Sequence, residues 1–221
     1  MDVDKDLRPI SLTPVLSKCI ESYVRDWMLE IVRDSFDPHQ FGCLKGSSTI
    51  HALVELTHLW TTALETHGQA IRILFLDFRK AFNRVDHRTL MHKLESAGLP
   101  PFIRGWIGSF LSDRKQRVKI EGTSSEWADV KAGVPQGTLL GPICFLVHID
   151  DFKTCINDCK YVDDSTLWER CSFDGSDSDL QQAADEADQW CDTNKMQINY
   201  TKTKEMVIYY GKKPLQFIRI Y

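Results

Sequence analysis

Apolar side chains recur every three or four positions in several segments, which is the spacing of amphipathic helices. In the first, residues 14–34, Thr13-Pro14 supplies a start and Asp37-Pro38 an end. The same spacing predicts helices from about Ser48 and at 86–97, 101–111, 139–150 and 179–193. Before the last of these, Ser178 and Gln181 have the spacing of a capping box, which predicts a locally capped helix start.

Continuous or alternating apolar runs predict strands between these helices. Residues 71–77 are apolar on both faces except at Arg72, so this strand is expected in the middle of a sheet. Strands are predicted on both sides of residues 161–164, at 155–160 and 165–170, and as a pair around Gly122-Thr123-Ser124, at 116–120 and 127–131. Two more are predicted near the end of the chain, at 205–210 and 216–221. This order of elements predicts an α+β fold with a mostly antiparallel sheet.

Composition excludes some classes of protein. The 221 residues contain no apolar run long enough to cross a bilayer, and the first residues lack the apolar core of a signal peptide. The seven cysteines show no CxxC spacing, so reduced, mostly buried thiols in an intracellular, non-secreted protein without a membrane partner are expected. Nothing distinguishes a nuclear from a cytoplasmic location.

Charge is distributed unevenly along the chain. The formal net charge is −4, but residues 171–194 contain seven acidic residues and no Lys or Arg. The remainder has 24 acidic and 27 basic residues, a mildly basic balance that permits contacts with phosphates without demonstrating them.

Two adjacent carboxylates, Asp163 and Asp164, lie at the predicted hairpin tip, and a third, Asp77, ends the apolar strand 71–77. Adjacent ionised carboxylates repel, and a divalent cation is the usual way to keep both charged. Three carboxylates from two strands can hold two hard cations around a phosphoryl centre. The alternatives are a solvated turn for the pair and a helix cap for Asp77.

Other motifs are ambiguous taken singly. Gly133–Gly137 is either an ordinary turn or a backbone that lies close to a base pair, to which Gln136 could offer its amide. Arg8 is either part of a chain bend or a fork-shaped donor for a triphosphate. Several basic residues are either solvated or in contact with phosphate: Lys202, Lys204, Arg114, Lys115, Arg117 and Lys119.

In combination these blocks resemble the reverse transcriptases of non-LTR (LINE-type) retrotransposons, over about residues 5–210. The blocks that carry the resemblance are Arg8-Pro9-Ile10-Ser11-Leu12, Gln40-Phe41-Gly42, Leu76-Asp77-Phe78-Arg79-Lys80-Ala81-Phe82, Gly133–Thr138, Tyr161–Asp164 and Asn199–Lys204. The resemblance implies a right-handed polymerase in which residues 1–70 are mostly fingers and residues 71–100 and 130–221 are mostly palm. It also implies that the thumb is missing and that the chain is a fragment of a longer protein.

The resemblance assigns roles by position. It implies that Asp77, Asp163 and Asp164 bind two Mg²⁺ ions, with Mn²⁺ as a possible substitute, and that the Phe78 carbonyl adds a ligand. It further implies that Phe82 is a steric gate and that Gln136 and Gly137 form a loop under the templating base pair. It implies that Arg8 binds the triphosphate and that Lys202, or alternatively Lys204, protonates the pyrophosphate. The implied partners are an RNA template, a DNA primer and dNTPs.

Two positions depart from the family's pattern. Members usually have Ser at the position of Arg79 and Asp at that of Asn83, neither of which is a metal ligand in the family. The leading hypothesis is therefore an RNA-directed DNA polymerase core. The alternatives are an inactive relic that folds and at most binds nucleic acid, and another two-metal palm enzyme such as a nucleotidyl cyclase, which would need neither a gate at Phe82 nor the loop at Gly133–Gly137.

Overall fold

The structure, a computed structural model, describes residues 10–210. These residues form two compact units, each built from two separate stretches of chain. One unit contains residues 10–36 and 82–148, and the other contains residues 37–81 and 149–210.

Within the described residues the helices are α1 (Val15–Val32), α2 (Thr49–Ala63), α3 (Ala81–Arg84), α4 (His87–Ser96), α5 (Pro101–Leu111), α6 (Leu140–Ile149) and α7 (Leu180–Asn194). The strands are β1 (Gln69–Leu76), β2 (Lys115–Gln116), β3 (Lys119–Ile120), β4 (Thr123–Ser124), β5 (Ala128–Asp129), β6 (Asn157–Tyr161), β7 (Asp164–Ser172) and β8 (Lys204–Tyr209). A short 3-10 turn, Arg33–Ser35, follows α1.

The unit containing residues 37–81 and 149–210 is built on a four-stranded sheet of order β6-β7-β1-β8, in which every described strand pair is antiparallel. β1 lies between two neighbours, as its apolar pattern predicted. Ile71 and Ile73 of β1 pack in a buried cluster with Trp168 of β7 and with Ala52 and Leu56 of α2. Burial on both faces accounts for the continuous apolar run of β1.

Helix α7 packs against β1 and β7 of this sheet, but its start is not capped as predicted. Gln181 donates to Asp185, one turn along the helix. The Ser178 hydroxyl instead donates to Glu169 of β7, which also accepts the backbone N–H of Asp179 at 2.8 Å. The predicted capping box is therefore wrong, because a carboxylate from the sheet replaces the local partner.

The other unit is mainly helical. Asp86 caps α4 by accepting the Thr89 N–H at 2.9 Å, and Pro101 occupies the first turn of α5, where a missing N–H costs nothing. Glu21 of α1 is 2 % exposed, and its Oε2 accepts the Leu139 N–H at 2.8 Å, just before α6. This carboxylate therefore satisfies an amide at a helix start and favourably opposes the helix dipole.

The predicted helices and the strands of the main sheet are confirmed. The predicted strand pair at 116–120 and 127–131 is broken into four two-residue strands, with β2 paired to β5 and β3 to β4. The predicted strand at 216–221 lies outside the described residues. In residues 10–210, no helix is both long and apolar enough to span a membrane. All seven cysteines are unpaired, as predicted, although Cys19, Cys43 and Cys155 are exposed.

Candidate active site

The predicted hairpin is present, and its loop consists of two residues. Tyr161 and Asp164 are the last paired positions of β6 and β7, so Val162 and Asp163 alone connect the strands. Val162 has a φ of 61°, a left-handed conformation that a β-branched residue seldom adopts. Such strain costs about 1–3 kcal/mol and persists only where neighbouring groups hold it. Asp163 is half-buried in this turn, and Asp164 is exposed.

Asp77 lies at the same end of the sheet as the hairpin tip. Leu76 at the end of β1 pairs with Ser165 of β7. Asp77 follows Leu76 and Asp164 precedes Ser165, and paired strands lie about 4.8 Å apart. The register therefore brings together at one sheet end three carboxylates that are far apart in sequence.

A turn formed by residues 199–203 holds Asp77. Asn199 donates its side-chain amide to Asp77 Oδ2 at 2.8 Å and its backbone N–H to the Asp77 carbonyl at 2.7 Å. Lys202 is exposed on the same turn, and its backbone N–H donates to the Asn199 carbonyl at 3.0 Å. Lys204 directs its Nζ to the carbonyl of Thr201 at 3.1 Å. Lys202, which the resemblance implies as the proton donor to pyrophosphate, is thus linked to Asp77 through Asn199.

The donor set at this sheet end fits a hard divalent cation. Asp77, Asp163 and Asp164 offer carboxylate oxygens, the ligands that Mg²⁺ and Ca²⁺ prefer. Carboxylates that share a metal site repel one another, and a bound cation offsets that repulsion. The hydrogen bond from Asn199 orients the Asp77 carboxylate, as groups that contact the ligands commonly do at metal sites.

A different acidic group lies beside β6. Across residues 10–210, Asp37, His39 and Asp158 are the metal-ligating side chains whose donor atoms all lie within 4.8 Å of one another, a spacing that the three carboxylates above do not meet. Two lysines already balance this group. Lys160 and Lys153 each place Nζ 2.6 Å from Asp37 Oδ2, and 3.5 and 3.4 Å respectively from Asp158.

The charge of this second group is therefore compensated within the chain. Burial opposes ionisation of Asp37, but its ion pairs with Lys153 and Lys160 outweigh that effect and hold its pKa well below the ordinary range. A divalent cation at this position would have to displace two ammonium groups. We therefore interpret this group as a structural ion network.

Phe78 has a side chain that belongs to the core. It is 5 % exposed and packs edge-on against Phe152, with ring centroids 5.7 Å apart, and beside Trp190 at 6.0 Å. Its backbone runs beside Ile198 in an isolated antiparallel bridge. Packing of the ring thus fixes the peptide that follows Asp77, and only the Phe78 carbonyl remains a candidate ligand.

Phe82 belongs to the other unit. Its half-buried ring stacks on Phe145 of α6, with centroids 4.6 Å apart and planes at 14°. The Phe82 carbonyl accepts the Val134 N–H at 2.8 Å. The ring is therefore supported from one side, as a rigid steric gate would require.

The predicted loop at Gly133–Thr138 is built by close backbone contacts. Gly133 has a φ of +88°, and a Cβ there would lie 2.8 Å from Asn83 Cα. The Gln136 side-chain amide points to Asn83 Oδ1 at a long 3.5 Å, and the Gln136 backbone carbonyl accepts the Ser11 N–H at 2.8 Å. Gly137 (φ +90°) admits no Cβ, which would lie 2.9 Å from the Ser11 carbonyl. Asn83, which departs from the family pattern, therefore still supplies an acceptor to this loop.

The remaining predicted basic residues differ in environment. Arg8 lies outside the described residues. Arg114 is half-buried and donates to Ser11 Oγ at 2.9 Å, so its side chain is only partly solvated. Burial lowers the pKa of Arg114, and the charge of Glu21 partly offsets that effect. Lys115, Arg117 and Lys119 are exposed as predicted.

Reasoning from sequence did not assign roles to several residues that support the hairpin and Asp77. Asn199 and Gln40 lay inside the motif blocks but received no function. Asp37 was interpreted only as part of a helix end. Lys160 gave no signal, because a lysine within a strand ordinarily indicates an exposed position.

Comparison with known proteins identifies the family of the chain. The family model described as reverse transcriptase (RNA-dependent DNA polymerase) matches residues 2–218. The chain is 30 % identical to the RNA-directed DNA polymerase from mobile element jockey of Drosophila melanogaster, over 91 % of the chain and 23 % of that protein. It is also 30 % identical to the probable RNA-directed DNA polymerase from transposon X-element of the same species, over 90 % of the chain and 23 % of the relative.

The chain thus spans about a quarter of the length of these relatives. Among solved structures, a telomerase from Candida tropicalis in complex with a fragment of telomeric RNA has a TM-score of 0.62 at 15 % identity, covering 87 % of this chain and 34 % of that one. At that identity the likeness establishes only the fold, and it agrees with the predicted palm-and-fingers class. The chain belongs to the reverse transcriptase family, with non-LTR retrotransposon polymerases among its relatives.

Proposed function

We propose that the chain is the core of a non-LTR retrotransposon RNA-directed DNA polymerase, which adds dNTPs to a primer 3′-hydroxyl by two-metal-ion catalysis. The observation that carries the proposal is the position of Asp77, Asp163 and Asp164 at one end of two paired strands. The β1, β6, β7 and β8 strands fall almost entirely in the segments predicted to be palm, and we retain the predicted division into fingers and palm as part of the proposal.

Enzymes of this family generally use divalent metals. In the proposed mechanism Asp77 and Asp163 are the principal Mg²⁺ ligands, Asp164 is the third carboxylate, and the Phe78 carbonyl completes the set. When bound, the two ions would activate the primer hydroxyl and neutralise charge on the triphosphate and departing pyrophosphate. Mn²⁺ takes the same oxygen ligands and is expected to substitute.

Other residues act on the substrates. Lys202, on the turn that orients Asp77, would give a proton to the departing pyrophosphate, with Lys204 as the alternative donor. Phe82 would exclude a 2′-hydroxyl by steric clash, which discriminates by penalising the wrong nucleotide. Gln136 and Gly137 would lie under the templating pair. Arg8 would grip the triphosphate.

The proposed partners are an RNA template, a DNA primer and dNTPs. Family membership and the relatives named as RNA-directed DNA polymerases support this choice. Outside the acidic stretch at residues 171–194 the chain is mildly basic, which suits a phosphate-rich substrate.

The test of the reaction is primer extension on oligo(dT)-annealed poly(rA) with dTTP, with Mg²⁺ or with EDTA. We expect Mg²⁺-dependent extension that Asp163→Asn abolishes while the fold persists, since the substitution relieves charge repulsion. Asp113→Asn is the matched control, because Asp113 is an exposed turn residue with a φ of 53° that asparagine tolerates. Retention of most activity by Asp163→Asn would refute the metal assignment. A folded chain that extends no primer would instead support the inactive-relic alternative.

The test of the gate is the ratio of dTTP to UTP incorporation. Phe82→Ala should admit ribonucleotides and lower this ratio. Phe110→Ala provides the matched control, because Phe110 is another half-buried ring, stacked on Trp106 with centroids 5.7 Å apart. An unchanged ratio in Phe82→Ala would mean that Phe82 serves only packing.

A further inference from the structure

The Gln40 side chain joins a loop to the tip of the hairpin. Gln40 is 5 % exposed, and its Oε1 accepts two backbone N–H groups, from Gly42 at 2.8 Å and from Val162 at 2.9 Å. These amides belong to segments far apart in sequence. A single carboxamide oxygen therefore holds the backbone of the strained turn residue against residues 40–42.

The backbone around Gln40 follows the edge of the sheet. Lys160 of β6 donates its N–H to the His39 carbonyl at 2.8 Å, and Phe41 donates to the Lys160 carbonyl at 2.8 Å. Gln40 and Lys160 thereby form an isolated parallel bridge. Asp37 anchors the same segment through its 2.6 Å ion pair with Lys160. We call residues 37–42 the brace of the hairpin.

Gly42 makes the close approach of the brace possible. A Cβ at this position would lie 2.5 Å from the Val162 backbone nitrogen and would clash with Val162 Cγ2. The obstacle includes the Val162 and Tyr161 backbone as well as the stiff Val162 side chain, so a larger residue would push the brace away from the turn. The close contact with Val162 therefore requires glycine at position 42.

Val162 is the residue that needs support. Its left-handed φ of 61° is strained for a β-branched residue and persists only where neighbouring groups hold it. The hydrogen bond to Gln40 and the packing against Gly42 are the contacts that offset this strain. Without them the peptide after Val162 can rotate toward an ordinary conformation, and that peptide carries Asp163.

We propose that Gln40 and Gly42 are positioning residues, which hold Val162 in its left-handed conformation and so fix the Asp163 carboxylate for metal binding. This inference rests on the proposed function, because it takes Asp163 as a metal ligand. It assigns a role to the Gln40-Phe41-Gly42 block, for which the sequence alone indicated none. Neither residue touches the reacting atoms; both act through Val162.

The test uses Gln40→Met, a substitution of nearly equal shape that removes the acceptor. We expect the Val162 amide to exchange its hydrogen about tenfold faster, the effect of losing one hydrogen bond. Mn²⁺ affinity, measured by electron paramagnetic resonance, should fall about tenfold, as is typical when a group that orients a ligand is lost. Asn194→Leu is the matched control, because Asn194 is a buried amide that donates to the Trp190 carbonyl within α7. It should alter neither quantity by more than twofold.

A double-mutant cycle with Val162→Gly separates positioning from general destabilisation. Glycine adopts a left-handed φ without strain, so Gln40→Met should weaken Mn²⁺ binding less when combined with Val162→Gly than when made alone. Equal losses in both backgrounds, or unchanged Mn²⁺ affinity in Gln40→Met, would overturn the positioning role. Asp163→Asn reports separately on the site: if it leaves Mn²⁺ binding intact, the proposed metal assignment fails, and the positioning role that depends on it fails too.

Discussion

Asp37→Asn is expected to be one of the most destabilising single substitutions in the unit built on the four-stranded sheet. The Asp37 side chain is 1 % exposed and lies 2.6 Å from the Lys160 ammonium, which is 0 % exposed. Lys160 also donates to the Phe152 carbonyl at 2.8 Å, so its position is fixed by the backbone as well as by the carboxylate. Asparagine keeps the shape of Asp37 but leaves a buried ammonium without its closest counter-charge.

The magnitude follows from the burial of both partners. Removing one member of a buried ion pair costs about 3–5 kcal/mol, because the remaining charge stays desolvated. Asp158 lies 3.5 Å from Lys160 and offsets part of this loss. We therefore expect the free energy of unfolding at pH 7 to fall by about 3 kcal/mol.

The same pair predicts the pH dependence of the effect. Burial raises the pKa of Asp37, but the ion pairs lower it by more than burial raises it, so the folded-state pKa lies below the ordinary 3.8. The stabilisation is therefore fully present above the unfolded value and is lost as pH falls from 3.8 through the folded value. Each pH unit in that range removes about 1.4 kcal/mol from the wild type. Asp37→Asn has no such titrating group, so the difference in free energy of unfolding between this variant and the wild type should narrow as the pH falls.

Urea unfolding followed by tryptophan fluorescence at pH 7, 5 and 3 measures this difference. Asp34→Asn, at an exposed acid three residues earlier, should change the free energy of unfolding by less than about 0.5 kcal/mol at every pH. A loss below about 1 kcal/mol at pH 7 would contradict the buried-pair argument. A gap between wild type and Asp37→Asn that stays constant down to pH 3 would show that the Asp37 pKa is not depressed.

Three other substitutions or treatments test further parts of the structure. Gly42→Ala should lower the urea midpoint and reduce Mn²⁺ affinity, since the new Cβ meets the Val162 backbone; equal behaviour to wild type would refute the contact. Glu169→Gln should destabilise by about 1–3 kcal/mol in the same urea assay, because the Ser178 hydroxyl and the Asp179 N–H at the α7 start lose a buried carboxylate. Desolvation and Glu186 raise the pKa of Cys155 to about 11, so its alkylation by iodoacetamide, followed by mass spectrometry, should still accelerate between pH 9 and 10. A plateau there would contradict the shift.

Much of the fold was predictable because burial pattern and secondary structure agree along the chain. β1 is apolar on both faces and lies inside the sheet, and helices α1 and α2 begin or end near the signals Thr13-Pro14, Asp37-Pro38 and Ser48. The two wrong predictions have different causes. The α7 cap comes from Glu169 in β7, a partner that no local pattern contains. The short strands β2–β5 are exposed, so no buried face fixed their register in the sequence.

The candidate site was predictable only in part, for a similar reason. The positions of the three carboxylates follow from strand ends, which sequence indicates well. The residues that hold these carboxylates could not be predicted from strand ends. Asn199 orients Asp77, and Gln40 holds the Val162 turn, through contacts between segments that are distant in the chain. Polar residues with such roles look like ordinary surface or turn residues until tertiary structure brings their partners together.

The two ends of the brace have different consequences for the protein. At its base, the Asp37–Lys160 pair is buried and charge-balanced, so its loss is felt mainly as a loss of stability. At its tip, Gln40 offsets strain confined to Val162, so its loss is felt mainly as a misplaced Asp163. Because Gln40 follows Asp37 in one short segment, Asp37→Asn should also weaken Mn²⁺ binding wherever the protein remains folded. Gln40→Met should leave unchanged the pH dependence of stability that Asp37 sets. Metal binding would thus depend on Asp37 while the pH dependence of stability would not depend on Gln40, a pattern that a purely global destabilisation would not produce.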